Sequence, residues 1–498
     1  MFCISTYIEK HAREIPRNTA ITFNERTISY SELETRIRLM AGALARRNVS
    51  SGDVVAIMCE RNVELIVAIV AVLRLGGIYL PIDKLNPKPR LEYILSNSNA
   101  KLIIADQTIQ VGDQWPQIPL DILTQDDGGS LDEKRYNDGF CIMYTSGTTG
   151  RPKGTLMHRK GVFNHLQSKI DCVSISQNSV VAQSAGYYFV NSIWQIFSTL
   201  IVGAHMVIYD RYIMNSTQQL ICKMQKDQVQ IFQVVPTLLE RMLEYTAQNQ
   251  LLLPALKCIV SSSEKLTFPL VEKHFNVLPD VRLVNAYGMT ECSDDVLHYA
   301  MSTQLAEQDI PIGLPVPNTR IYIVGKQNEV CDTNQRGEIC VAGIGLSEGY
   351  LNAPEQTDLA FVRGACFGLD EVCLYRTGDI GYRREDGNYV YLGRKDYQIK
   401  IGGFRVELYE IEDTLLKHPD ITQTAVICVE ESDKKIMVAF YMSEHVIVPE
   451  NIISFLRGLL PGYMIPVHFI HMQQFPLTAM EKIDRKKLYE YVSLEQNL

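Results

Sequence analysis

The 498 residues exceed what one hydrophobic core ordinarily serves, so at least two domains are expected. Apolar residues make up 46% and charged residues 21%, the balance of a soluble globular protein, and a diffuse net charge of −9 argues against nucleic acid or membrane as the main partner. The twelve cysteines form no C-x-x-C pair and no zinc-ligand cluster, which reads as free thiols in a reducing cytoplasm.

Residues 1–5 lack the basic region and apolar run of a secretory signal. Residues 65–73, between Glu64 and Arg74, are apolar but too short to span a bilayer. They predict a buried helix stopped by Gly76 and Gly77. Apolar strands at 54–58, 101–105 and 206–209 alternate with helical stretches, which predicts an α/β architecture with largely parallel sheets. Residues 113–137 are polar and read as a surface connection. The texture changes near residue 390, where glycines and charges cluster over 393–403. A helix (407–417), two strands (424–429 and 436–442) and a second helix from Pro449 to Pro461-Gly462 then predict a small α+β domain. The expected division is a large, multi-subdomain N-terminal α/β domain over 1–395 and a small, mobile C-terminal α+β domain over 396–498.

The densest chemical signal follows the apolar run 141–144. Thr145-Ser146-Gly147-Thr148-Thr149-Gly150-Arg151-Pro152-Lys153-Gly154 combines glycines, which let backbone fold around an anion, with four hydroxyls and a lysine. This predicts a phosphate-binding loop. It is not a Walker loop, since no Gly-Lys-Ser/Thr stands at the required spacing.

Residues 144–154 resemble the phosphate loop of the adenylate-forming superfamily, which includes acyl-CoA synthetases, luciferases and the adenylation domains of nonribosomal peptide synthetases. Further motifs match in order: Ile28-Ser29-Tyr30-Ser31-Glu32-Leu33, Gly76 to Asp83, Asn285-Ala286-Tyr287-Gly288-Met289-Thr290-Glu291, and Gly337-Glu338-Ile339 with Gly349-Tyr350-Leu351. Tyr375-Arg376-Thr377-Gly378-Asp379, Gly393 to Lys400 and Lys482-Ile483-Asp484-Arg485-Lys486 complete the set. The resemblance covers nearly the whole chain and is strongest to peptide-synthetase adenylation domains.

The resemblance implies ATP and Mg2+ as cofactors and attack of a carboxylate on the α-phosphorus. Both reactants are anions, so positive charge and donors must stand where charge accumulates. Thr145, Ser146, Gly147, Thr148, Thr149, Gly150 and Lys153 are expected at the β- and γ-phosphates. Glu291 is the expected magnesium ligand, and Thr290 the expected partner of the α-phosphate. Asn285, Ala286, Tyr287 and Gly288 are expected at the nucleotide, with Tyr287 against the adenine. Asp379 is expected on the ribose hydroxyls, with Arg394 beside it. Lys482 is the expected catalytic cation of adenylation. Asp396 is the expected hinge about which the small domain turns, exchanging Lys482 for the Gly402-Gly403 region before thiol attack.

The acyl pocket departs from the family. Where relatives place an aspartate for the α-ammonium, this chain has Val190. The other implied lining residues are Asn191, Trp194, Gln233, Val260, Ser262, Ala286, Asp294 and Asp295. The adjacent aspartates suggest a substrate carrying a cation, such as a basic amino acid; loss of the aspartate at 190 suggests instead an α-keto or α-hydroxy acid. Methionine replaces the usual proline at Met289, and Met480-Glu481 replaces the usual Asn-Gly before Lys482. No carrier-protein segment follows Lys482 and no condensation motif is present. The expected acceptor is therefore the phosphopantetheine thiol of a carrier protein from another chain or module, in peptide-type secondary metabolism. An acyl-CoA ligase is the alternative.

Overall fold

The computed structural model describes residues 3–120, 137–147, 151–303, 309–395, 398–431, 434–477 and 483–495. Two compact units form. The first comprises Met1–Lys84, Leu95–Tyr144 and Gly154–Lys395; the second comprises Leu85–Ile94, Thr145–Lys153 and Asp396–Leu498. The largest piece of the second unit begins at the expected division, but two upstream segments, one of them the phosphate loop, cluster with it.

In the first unit a six-stranded sheet orders its strands Gln117–Pro119, Leu102–Ala105, Val54–Met58, Ile78–Pro81, Gly139–Thr145, Lys153–His158. A 14-stranded sheet carries the site. Its strands Thr19–Phe23, His205–Ile208, Val180–Gln183, Ile231–Val234, Cys258–Ser261 and Arg282–Met289 pair in parallel, in that order. From Asp294–Met301 to Tyr389–Arg394 the pairing is antiparallel instead. The expectation of largely parallel sheets is thus corrected for this stretch. Most links there are too short for the crossover that parallel pairing needs.

The Val63–Arg74 helix is buried along its whole length. It packs on the strand Thr19–Phe23 of one sheet and Val54–Met58 of the other, which is why it is apolar on every face. Asn62 caps it, accepting from the Leu65 N–H at 2.9 Å.

The second unit's C-terminal piece opens with the antiparallel hairpin Gln398–Ile401 and Phe404–Glu407. The chain reverses at Gly402 (φ 56°) and Gly403 (φ 84°), two successive left-handed residues that only glycine adopts cheaply. The helix Leu408–Leu415, the antiparallel pair Gln423–Glu431 and Lys434–Met442, the helix Pro449–Arg457 and the strand His468–His471 follow around one core. Among the described residues no helix is long and apolar enough to cross a membrane. None of the twelve cysteines is in a disulfide.

Candidate active site

The strands Ile231–Val234, Cys258–Ser261 and Arg282–Met289 lie side by side in register, Gln233 beside Val260 and Val260 beside Val284. Gln233, Val260, Ser262 and Ala286 therefore gather toward the carboxyl ends of parallel strands, where open α/β sheets bind ligands. After Met289 the chain makes a 3-10 turn, Thr290–Cys292, and reverses through left-handed Ser293 (φ 63°) and Asp294 (φ 92°). The returning strand Asp294–Met301 places Asp295 opposite Gly288. A Cβ at Gly288 would overlap the Asp294–Asp295 backbone, so this close approach requires glycine there.

Two segments converge on the Asp379 carboxylate. Tyr287 Oη donates to Asp379 Oδ2 at 2.5 Å, and Arg394 Nη1 donates to Asp379 Oδ1 at 2.7 Å and to the Thr377 carbonyl at 3.0 Å. Register places Arg394 directly opposite Asp379. Burial, then the Asp379 charge, raises the Tyr287 hydroxyl well above its ordinary pKa, so it remains a donor. Glu338 fixes the turn beneath. It accepts from Gly378 N–H at 3.0 Å and pairs with Arg376 (2.5 Å) and Lys395 (2.6 Å), which hold its carboxyl below the usual range despite burial.

Glu291 is fully buried, and Tyr350 Oη donates to its Oε1 at 2.7 Å. Thr290 is buried beside it. In the second unit the phosphate-loop residue Ser146 donates its hydroxyl to the Arg405 carbonyl (2.8 Å), and the Gly147 N–H donates to the Glu410 carboxylate (3.1 Å). An amide that takes a carboxylate oxygen has the direction and polarity to take a phosphate oxygen. The Thr145 hydroxyl is buried with no hydrogen-bond partner among the described residues. Thr148, Thr149, Gly150, Asp396 and Lys482 lie outside the described residues.

Four of the predicted acyl-pocket residues form one polar chain. Asn191 Nδ2 donates to Ser262 Oγ (3.1 Å), Gln233 Nε2 donates to the same oxygen (2.7 Å), and Trp194 Nε1 donates to Gln233 Oε1 (2.6 Å). Val190 packs against the main hydrophobic cluster, and Val260 and Ala286 belong to that cluster. Asp294 and Asp295 are buried, but neither lines the pocket as an isolated acid. Asp295 forms an ion pair with Lys169 and lies 3.3 Å from His298 Nε2. Asp294 Oδ2 approaches His165 Nε2 at 3.1 Å, although the angles do not make a hydrogen bond. Asp295 thus has a counter-charge from the protein itself.

The AMP-binding enzyme family matches residues 8–351, and its C-terminal domain matches residues 410–482. The chain belongs to the AMP-binding enzyme family. Zwittermicin A synthase ZmaJ of Bacillus cereus is 34% identical over 98% of this chain and 94% of its own length. Tyrocidine synthase 1 of Brevibacillus parabrevis is 33% identical over 98% of this chain, which spans only 45% of that protein. Two solved structures share the fold. o-Succinylbenzoate CoA synthetase from Bacillus subtilis has a TM-score of 0.87 at 22% identity, covering 97% of this chain and 98% of that one. An artificially fused adenylation-PCP di-domain from Klebsiella oxytoca has a TM-score of 0.84 at 23% identity, covering 94% and 86%.

For an AMP-binding enzyme, the residues present fit ATP with a hard divalent cation. In the first unit, a buried carboxylate at Glu291 and a doubly held carboxylate at Asp379 are oxygen ligands suited to that set. Sequence reasoning missed His165, Lys169 and His298. The signal was present: His165 and Lys169 stand four apart on the helix Arg159–Val173 and so share a face, and that helix packs on the strand Asp294–Met301.

Proposed function

We propose that the chain activates a small carboxylic acid as an acyl-adenylate and passes the acyl group to the phosphopantetheine thiol of a carrier protein in another chain or module. The substrate carboxylate attacks the α-phosphorus of ATP and pyrophosphate leaves. The thiolate then attacks the acyl carbon and AMP leaves. The observation that carries this reading is the Asp379 carboxylate held between Tyr287 and Arg394. A carboxylate has about four acceptor positions. Two are used internally, so two are left for the vicinal hydroxyls of a ribose.

Thr145, Ser146, Gly147, Thr148, Thr149, Gly150 and Lys153 are assigned to the β- and γ-phosphates, Thr290 to the α-phosphate, and Glu291 to magnesium. Magnesium bound there supplies charge neutralisation of the triphosphate. Lys482 is assigned to the charge that develops during adenylation, and Asp396 to the hinge that removes Lys482 before thiol attack. The similarity to peptide synthases over nearly the whole chain supports a carrier protein as acceptor. The fold shared with a CoA synthetase keeps free CoA as the second reading.

The two are separated by offering ATP, acid, and either free CoA or a phosphopantetheinylated carrier protein. Acyl transfer to the carrier with none to CoA is expected. Efficient transfer to CoA alone would replace the first reading by the second.

A further inference from the structure

The least expected group beside the predicted acyl-pocket residues is a cation. Lys169 is fully buried on the helix Arg159–Val173. Its ammonium pairs with the Asp295 carboxylate and stands 5.3 Å from the centre of the Trp194 ring. Trp194 in turn begins the hydrogen-bonded chain to Gln233, Ser262 and Asn191. Lys169 therefore packs against the predicted acyl-pocket residues.

Burial alone would drive a lysine and an aspartate toward their neutral forms. Here the pair resists it. Despite burial, Asp295 is held far below the carboxylate range by Lys169, and the ammonium is raised by Asp295 and Asp294. Burial and the Asp295 charge push the Asp294 carboxyl up, and burial, then the Lys169 charge, lowers His298 to about 4. The cluster's ligand atoms on His165, Asp294 and Asp295 lie within 4.8 Å of one another, but Lys169 already supplies Asp295 with a cation, so a metal ion there would face an ammonium.

We propose that Lys169 is a built-in counter-cation to Asp295 and sets substrate class: the part of the acid that reaches Trp194 and Asp295 carries no positive charge. A substrate ammonium entering beside Lys169 would meet a like charge, and the Asp295 carboxylate is already paired, both unfavourable in a desolvated pocket. The neutral face of Trp194 and the amide of Gln233 suit an apolar or hydrogen-bonding group instead. This inference rests on the adenylation reading above.

The test uses ATP–pyrophosphate exchange by the intact protein with acids of equal chain length and identical α-substituent, one ending in methyl and one in ammonium. Each pair is run as the α-amino, α-hydroxy and α-keto form. The wild type should favour the methyl-ended acid by at least about 100-fold, the discrimination that a buried unpaired charge imposes. Lys169→Met leaves Asp295 unpaired and should move the ratio toward the ammonium-ended acid by at least about tenfold, as a desolvated carboxylate gains a partner. The double variant Lys169→Met/Asp295→Asn carries no stranded charge and folds where the single variant fails. It should shift the ratio in the same direction by less. Exchange with no acid sinks the adenylation reading itself. Equal or better exchange by the wild type with the ammonium-ended acid, or a ratio unmoved in the folded variants, overturns the role of Lys169 and leaves adenylation standing.

Discussion

The Tyr287 hydroxyl and the Asp379 carboxylate meet at 2.5 Å, joining segments 92 residues apart at the point assigned to the ribose. Asp379 is thus oriented by the protein before any ligand arrives. Asp379→Asn removes the charge that Arg394 pairs with and turns an acceptor into a donor facing Tyr287 or Arg394. A charged hydrogen bond contributes about 1.5–3 kcal/mol, so kcat/KM for ATP should fall by roughly 10- to 100-fold, mostly in KM. Tyr287→Phe leaves the carboxylate with Arg394 alone and should cost roughly fivefold, the scale of one net hydrogen bond. Steady-state kinetics with varied ATP measures both.

Glu291 is fully buried and receives the Tyr350 hydroxyl at 2.7 Å. If it holds magnesium, Glu291→Gln should lower adenylation by more than about 100-fold at ordinary magnesium, since a neutral amide is a poor ligand for a hard cation. Tyr350→Phe keeps the carboxylate but frees its orientation. It should raise the magnesium concentration for half-maximal rate while leaving the maximal rate within about threefold, as expected of a supporting contact. A magnesium titration that gives both variants the same profile as the wild type would remove the assignment.

His298 gives a pH dependence of known sign. Burial, then the Lys169 charge, lowers it from 6.5 to about 4. Between those values the unfolded chain binds a proton at this residue and the folded chain does not. Stability is therefore fully present above about pH 6.5 and is lost as pH falls toward 4, with a slope of about 1.4 kcal/mol per pH unit from this residue. His298→Gln should flatten the thermal midpoint between pH 7 and 5 relative to wild type. An unchanged difference would mean that another group dominates.

Arg485 forms a two-pronged pair with Glu412, 2.7 and 2.9 Å, and donates to the Val426 carbonyl at 2.6 Å. It stands three residues after Lys482 and ties the last helix, Arg485–Glu495, to the second unit's core. Burial outweighs Arg485 at Glu412, whose carboxyl is raised. Breaking such a buried pair costs about 3–5 kcal/mol. Glu412→Gln should therefore lower the second unit's unfolding transition. It should also depress kcat for adenylation with little change in ATP KM, because the loosened element is the one that leads back to Lys482.

The assignments at the proposed nucleotide site came from the family resemblance. Tyr287, Glu291, Asp379 and Arg394 sit in short motifs whose glycines and charges have few other uses in that order, and the fold brings Tyr287, Asp379 and Arg394 into contact. The direction of strands after Met289 was not legible, since the same β-branched patterns serve parallel and antiparallel ladders and the links decide between them. Lys169 was missed for a different reason, although its spacing from His165 was in the sequence. A lysine on an amphipathic helix ordinarily points to water; this one is buried by a partner 126 residues away. The aspartate pair advertised a missing cation, and the protein itself provides it.

Acid-dependent ATP–pyrophosphate exchange, run on wild type and on Asp379→Asn, tests the central claim most directly. The account predicts exchange that requires a specific small carboxylic acid and magnesium and that falls at least tenfold in the variant at limiting ATP. No exchange with any acid by a folded protein that binds ATP, or exchange indifferent to Asp379, would contradict it.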